Sequence, residues 1–484
     1  MANRRRSRGR GALSASASER ARAAASARAG FPVLGVILAA AAALRAVGIQ
    51  YGLPFGTLLN PDEQSIVPRA WKMVHGGGLD PHWFDYPTLV LYLLAPFQAW
   101  QGAPSFLTAR IVILVLGLGA IAATWWLGRR AYGPQAGVIG AVTVAVATIH
   151  VEYSRMAVTD VPLTLGVAIA LGLIVAGRLE WAGLAVGLAA GAKYPGVFLL
   201  VPLVLVGWGK WRRVATGIVL AAAAFLASSP FVLVHPDQAV HEALRVQRLA
   251  REGWLGFEDD YPTPLAFLDR LWQGVGPLVV LAGVGLALAV WKRSRADIAL
   301  ASFTIVYFLD LLTLQAHFDR YLLPLIPAVG VLAGRLAGKR RVAAPVVLAL
   351  LIVPLWWSVA DAVRLTRTDT RIVAGAWIAA HVPAGAAVAA ESSTPQLVGH
   401  RVLPLLLPGP KRATDPNRDV ARLRAEGIRY VVITGAVADR VLRARDSYPR
   451  EARFYDELAS GATQVYEALP GGENAGPWVR VYRL

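Results

Sequence analysis

The sequence predicts a polytopic α-helical membrane protein with a C-terminal α/β domain. Three observations carry that reading. First, 56% of the 484 residues are hydrophobic and 17% are charged, where a soluble domain carries about 25% charged residues. Second, long stretches such as Val33–Leu44, Ile111–Leu127 and Val342–Trp357 have no charge, and several approach the roughly 20 residues that cross a hydrocarbon core. Third, beyond Asp361 charged residues, Pro and Gly return and apolar runs shrink to strand length.

The net charge of +18 is distributed as the positive-inside rule requires, in short basic clusters between apolar segments. No zinc-ligand, helix-turn-helix or RNA-binding pattern accompanies it, so nucleic acid is not an expected partner. Residues 1–30, with Arg4, Arg5, Arg6, Arg8 and Arg10 among Ser, Ala and Gly, read as a disordered cytoplasmic arm against anionic lipid. The apolar run that follows is long for a signal-peptide core, which favours an uncleaved anchor. The chain has no cysteine, which excludes disulfides, thiolate metal sites and cysteine nucleophiles.

Residues 31–360 form the expected transmembrane domain, with a first outer loop at 50–105. Segments 31–49, 106–127, 135–150, 161–177, 181–209, 214–234, 275–291, 298–315, 321–337 and 342–359 carry the spans. The stretch 181–209 is broken at Lys193-Tyr194-Pro195-Gly196 and counts as two short spans. The total is about 11, with each strong basic cluster inside. Thr88–Trp100, interrupted by Pro96, is expected to lie at the outer interface rather than to cross. Residues 361–484 form a soluble extracytoplasmic α/β domain, with strands at Ala387–Ala390, Tyr430–Thr434, Gln464–Ala468 and Val479–Tyr482. A helix starts at Asn417-Arg418-Asp419 and ends near Gly427.

Polar residues gather on the expected outer side. Asp62, Glu63, His75, Asp80, His82, Asp85 and Tyr86 lie in the first loop. His150, Glu152, Tyr153, Arg155 and Asp160 lie in the second, and Lys193, Tyr194, His317, Asp319, Arg320 and Tyr321 at later span ends. Ionisable groups near membrane depth point to function, an inference that exposure at segment ends weakens. Asn60-Pro61-Asp62-Glu63 also has the composition of a capped helix start. That role is compatible with catalysis, because a helix N-terminus keeps a carboxylate ionised. Arg320 and Lys193 suit a phosphate, or equally a lipid headgroup. No ligand spacing supports a metal at His75, His82 or His317, and solvated loop histidines are the simpler reading. Trp71, Trp83 and Trp100 suit interfacial anchoring.

In order along the chain, Asp62-Glu63, Asp85-Tyr86-Pro87-Thr88-Leu89, Tyr153-Ser154-Arg155-Met156-Ala157 with Asp160-Val161-Pro162, Ala192-Lys193-Tyr194-Pro195-Gly196 and Asp319-Arg320-Tyr321-Leu322-Leu323-Pro324 resemble the GT-C membrane glycosyltransferases. The branch they resemble is that of the protein mannosyltransferases and aminoarabinose transferases (glycosyltransferase family 39 and bacterial relatives). The resemblance covers roughly residues 31–340. It implies transfer of one sugar from a polyprenyl-monophosphate sugar to an envelope glycan, lipid or protein at the outer face of the plasma (inner) membrane, usually with inversion. By similarity Asp62 is the base, Glu63 positions acceptor or donor, and Asp160 supports the site. Lys193, Arg320 and Arg155 would hold the donor phosphate, and Asp85, Tyr86, Tyr194, Tyr321 and His317 would line the substrate. The usual proline pair of the first loop is here Pro87-Thr88, and a β-trefoil domain is lacking, which weakens protein O-mannosylation as the assignment. Some members of the wider class use a divalent metal; this branch generally does not, and no cofactor is expected. The rival reading is a transporter or flippase of lipid-linked saccharide, which would place paired charges near the midplane of several spans. The loop 235–273 is expected to shape the acceptor site.

Overall fold

A computed structural model describes residues 31–55, 60–337 and 343–484. The basic arm and the cluster Lys339-Arg340-Arg341 lie outside the described residues. The membrane part is a bundle of apolar helices around one large core. Among the described residues, four helices are long and apolar enough to cross a membrane: Phe106–Tyr132, Trp211–Ser228, Asp319–Ala337 and Ala344–Arg364. Thr263–Val275 and Leu278–Lys292 would make a fifth span, bent by 115°. The other segments expected to cross fall on helices too, but shorter ones, such as Pro134–Val146 and Asp160–Val175. Leu89–Gln98 is ten residues long and packs on Asp62–Lys72. At about 1.5 Å per residue it spans about 15 Å, half of a hydrocarbon core, in keeping with an interfacial position.

The predicted break at Lys193 is present. Helix Leu179–Ala192 stops at Lys193, whose backbone is extended (φ −158°, ψ 137°), and a 3-10 turn Tyr194–Leu199 leads into helix Leu200–Val206. The chain doubles back, because a Cβ on Gly207 would stand 3.1 Å from Leu179, at the start of the hairpin.

Close helix approach rests on small residues. Gly183, Gly187 and Gly191 recur every four residues along one stripe of helix Leu179–Ala192. A Cβ there would meet Gly217 O at 1.9 Å, Ala221 O at 2.1 Å and Ser228 Oγ at 2.2 Å. All three belong to helix Trp211–Ser228, so the two backbones touch along their length. This is how helices gain dispersion energy where lipid offers no hydrophobic drive.

Three arginines, Arg45, Arg110 and Arg155, are fully buried and staple helix ends together. Arg45 donates to the carbonyls of Val144 and Ala145 at 3.0 and 2.9 Å. Arg110 donates to those of Ile49 and Tyr51 at 2.8 and 2.9 Å. Arg155 donates to Leu44 O at 2.8 Å and pairs with Asp361 at 2.9 Å. The guanidinium fork suits this task, since it satisfies several carbonyls that have run out of helical donors.

The C-terminal domain is a five-stranded sheet in the order Arg401–Leu405, Ala387–Glu391, Tyr430–Thr434, Val479–Arg483, Thr463–Ala468. The first three strands are parallel and the last two pairings antiparallel. Alternate residues feed two cores: Ala387, Ala389, Val431 and Ile433 on one face, Val388, Ala390 and Val432 on the other. Helix Thr370–His381 covers one face; Val420–Ala425, Gly435–Arg443 and Pro449–Gly461 cover the other. The four predicted strands and the Asp419-capped helix are found within a residue or three of their expected bounds. Leu255, from the loop preceding Thr263–Val275, is fully buried in the second of these helical layers.

Gly187→Val should lower the melting temperature of the detergent-solubilised protein by the equivalent of about 1–3 kcal/mol, the usual cost of overpacking. Gly35→Val, whose added atom meets nothing within 4 Å, should melt close to wild type.

Candidate active site

Helix Asp62–Lys72 begins as its sequence suggests. Asn60 Oδ1 accepts from the Asp62 amide at 2.9 Å, and Pro61 already has helical dihedrals (φ −64°, ψ −23°). Consecutive residues on a helix point about 100° apart, so the two acids part company at once. The Asp62 side chain keeps 19% of its surface exposed, whereas Glu63 keeps none.

Asp62 Oδ2 accepts from Arg320 Nη1 at 2.5 Å and from the Tyr86 hydroxyl at 3.0 Å. Burial alone would raise its pKa. The Arg320 and Lys193 cations and the Tyr86 hydrogen bond outweigh that and hold it below the usual carboxylate value. Burial, with the Asp62 charge adding to it, keeps Tyr86 protonated and donating.

Lys193 sits 2.6 Å from Asp160 Oδ1 at the first turn of helix Asp160–Val175. Its ammonium lies 5.4 Å from the ring centres of both Tyr86 and Tyr321, so two aromatic faces flank the cation. Lys193 can reach this point because the chain turns back immediately after it, and that turn needs Gly196: a Cβ there would stand 2.4 Å from the Ala189 backbone. Asp160 Oδ2 and Arg320 Nε are buried and, among the described residues, have no hydrogen-bond partner. Such spare polar capacity beside a cavity is a common property of ligand sites.

Beside these groups opens a cavity of about 370 Å³. Asp85, Tyr86, Lys193, Tyr194, Gln247, Asp310 and Tyr321 are its polar lining, and Val197, Phe198, Leu244, Leu311 and Leu314 part of its larger apolar lining. One wall is the amphipathic helix Pro236–Glu252. Arg245 of that helix donates to Asp85 at 2.5 Å, and Glu242 accepts from the Phe84 amide at 2.6 Å, which pins the first loop to it. Tyr194 donates to Phe84 O at 2.8 Å.

Five of the residues expected at the site line the cavity, Asp85, Tyr86, Lys193, Tyr194 and Tyr321, and Asp62, Asp160 and Arg320 contact them or one another beside it. Three others do not, and their expected roles change. Glu63 is not a substrate-positioning group, because Arg110 occupies both its oxygens (2.9 and 2.7 Å) and the Ala157 amide also donates to it (2.8 Å). Arg155 does not face a donor phosphate; it joins Leu44 O to Asp361. His317 does not line the cavity; its ring bridges Asp260 (3.0 Å) and Thr263 (3.1 Å) against Phe257 and Phe267.

Sequence reading missed Arg110, Arg245, Phe198, Gln247 and Tyr307. The last three line the cavity. Helix Pro236–Glu252 was legible in principle, with Pro236 at its first position, a 3.6-residue apolar period and Gly253 after its end.

Comparison with known proteins bears on the fold. Residues 83–314 match the family model described as Glycosyltransferase family 87. No curated protein sequence matches the chain. In fold the chain is similar to ArnT from Cupriavidus metallidurans in the apo state, at a TM-score of 0.59 and 15% identity, covering 94% of this chain and 98% of that one. It is likewise similar to the same protein bound to undecaprenyl phosphate (TM-score 0.57, 14% identity, 93% and 97% covered). A third similar structure is the Archaeoglobus fulgidus oligosaccharyltransferase in the apo form (TM-score 0.54, 14% identity, 87% and 72% covered). These findings define the class, that of a polytopic helical membrane protein with the GT-C glycosyltransferase fold, and bear out the resemblance drawn from the motifs. The matching family model is that of family 87, where the motifs resembled family 39; the findings support the shared class rather than a branch.

Two predictions follow from the acids. Glu63→Ala strands the wholly buried Arg110 charge in the core and should cost about 3–5 kcal/mol in stability, whereas Asp62→Asn, which keeps a hydrogen-bonding group beside Arg320 at a site that retains 14–19% exposure, should cost clearly less. Glu152, half-buried beside Asp319 and Asp361, is pushed up to about 8 by burial and by those two carboxylates, against the opposing charges of Arg364 and Arg155. The folded state then holds a proton that the unfolded chain has already released above about pH 4.5. Stability falls as pH rises between those values. Melting curves from pH 5 to pH 8 should show wild type losing more stability than Glu152→Gln.

Proposed function

We propose that the protein transfers one sugar from a polyprenyl-monophosphate sugar to an acceptor of the cell envelope, with Asp62 as general base. The observation that carries this reading is a largely apolar cavity lined by Lys193, Tyr86 and Tyr321, with the Asp62–Arg320 pair joined to it through Tyr86. A donor with a charged phosphate head and an aliphatic tail has the same polarity profile. The similar structure of ArnT bound to undecaprenyl phosphate supports a lipid phosphate in this fold.

In the proposed step the acceptor hydroxyl gives its proton to Asp62, and its oxygen attacks the anomeric carbon. The bond from that carbon to the phosphate oxygen breaks, and the leaving polyprenyl phosphate takes the electron pair. Its charge rises by one unit as it leaves. Lys193 and Arg320, set in place by Asp160 and Asp62, stabilise the added charge where water is scarce. Tyr86 and Tyr321 flank the ammonium and limit its water contact. A single displacement of this kind inverts the anomeric centre. The lateral helix Pro236–Glu252 would cover the lipid, and the acceptor would enter beside the loop that follows it. The reading places the protein in the plasma (inner) membrane, N-terminus cytoplasmic and C-terminal domain outside.

The test is sugar transfer from a radiolabelled panel of polyprenyl-phosphate sugars, with envelope extract as acceptor. One donor should be turned over by wild type. Asp62→Asn should lose about 10²–10⁴-fold in kcat, and Arg320→Ala should lose kcat as well as donor affinity. Full activity in folded Asp62→Asn would overturn the mechanism. If no donor turned over but the protein moved labelled lipid-linked saccharide across vesicles, the flippase reading would replace it.

A further inference from the structure

We propose that Asp80, His82 and His235 form a divalent-metal site, of the Zn²⁺ type, that clasps the first outer loop to the start of helix Pro236–Glu252. The three residues come from two segments 153 positions apart in sequence (82 to 235), so no spacing motif announces them. In the fold one ligand atom of each lies within 4.8 Å of the other two. Asp80 Oδ2 is 2.7 Å from His235 Nε2 and 3.5 Å from His82 Nδ1. A tetrahedral ion with bonds of about 2.0–2.1 Å holds its ligand atoms about 3.4 Å apart, so adjustments of an ångström or so would seat one.

The donor chemistry is that of zinc: two imidazoles and one carboxylate, which leaves a fourth position open to solvent. The alternative, a plain hydrogen bond between Asp80 and His235 with the His82 amide on Asp80 Oδ1, accounts for the backbone of the turn but assigns no partner closer than 3.5 Å to the His82 ring nitrogen. His82 has a left-handed backbone (φ 45°), unusual for a residue with a side chain. Its ring is tilted against that of His235, with centres 5.3 Å apart, although 69% of its side chain remains exposed. Two histidines beside one carboxylate is an arrangement that a bound dication stabilises.

Supporting contacts surround the cluster. The His82 amide donates to Asp80 Oδ1 at 3.0 Å, and Gln238 donates to both His82 O (3.2 Å) and Glu242 (2.9 Å). Glu242 in turn holds the Phe84 amide. The clasp therefore lies three residues before the Asp85-Tyr86 step of the loop, and at the root of the helix that walls the cavity. Its occupancy would set how firmly that wall is held. The proposal stands apart from the transfer reaction, since a metal here touches none of the groups that act on the sugar.

The experiment uses untagged full-length protein, stripped with a chelator and titrated with Co²⁺ and Zn²⁺. Wild type should bind one equivalent, with the visible Co²⁺ absorption of a low-coordinate nitrogen and oxygen site, and Zn²⁺ should displace it and raise the melting temperature. His82→Ala and His235→Ala should each weaken binding by about tenfold or more and lose the thermal gain. His75→Ala, an exposed histidine of the same loop stacked on Trp71, should keep both. A variant that unfolds is recognised by its metal-free melting curve, and exposed His82 is the position least liable to this. Equal binding by wild type and the His82→Ala, His235→Ala double variant would overturn the proposal, as would absence of a Zn²⁺-dependent thermal shift in wild type.

Discussion

The ion pair between Asp62 and Arg320 joins residues 258 positions apart, and the candidate site is arranged around it. Both side chains are largely withdrawn from water, at 19% and 14% exposure. At such depth an isolated charge is costly, and a paired one is held to the geometry of its partner. The pair fixes the first outer helix against the 3-10 turn Asp319–Leu325, and Tyr86 adds a third tether. The neighbouring pair of Lys193 and Asp160 does the same for the broken hairpin. Two carboxylates thus keep two cations close together that would otherwise repel each other. Asp62 keeps the Tyr86 hydrogen bond beside that of Arg320, whereas the carboxylate of Asp160 is held by Lys193 and has one oxygen to spare.

The adjacent acids show how one helical step divides labour. Asp62 faces Tyr86 and Arg320, while Glu63 turns into the bundle and is consumed by Arg110 and the Ala157 amide. Glu63 thereby sets the rotation of helix Asp62–Lys72 about its axis, and that rotation aims Asp62. The two residues are therefore not interchangeable, although they are chemically alike and consecutive.

Much of this was legible in the chain because apolar solvent leaves few options. Charges that interrupt hydrophobic runs must sit at ends or breaks, so Asp62, Lys193 and Arg320 could be placed without a structure. The strands Tyr430–Thr434 and Val479–Arg483 announced themselves by branched side chains between turn residues. What sequence could not show is pairing over distance. Nothing about Arg110, inside a long apolar helix, says that it reaches Glu63, and nothing in Arg155 distinguishes a phosphate ligand from a staple to Asp361. Strand Arg401–Leu405 escaped notice because Pro404 interrupts its pattern; it is an edge strand, where proline is tolerated. Helix Pro236–Glu252 was hidden by its charge, since an amphipathic helix lying over a bundle has the average composition of a loop.

Leu255 belongs by covalent chain to the membrane part and by packing to the C-terminal domain, where it is wholly enclosed. Its neighbours reinforce the bond: Trp254 stacks under Arg412 at 4.6 Å, and Tyr448 donates to Glu258. Pulling a leucine out of such a socket costs about 1.5–3 kcal/mol. The arm between helix Pro236–Glu252 and helix Thr263–Val275 consequently behaves as a spoke with one end in each body. The C-terminal sheet and the helix that walls the cavity are therefore joined by a segment only a few residues long. The appended domain thereby has a direct structural anchor beside the cavity wall.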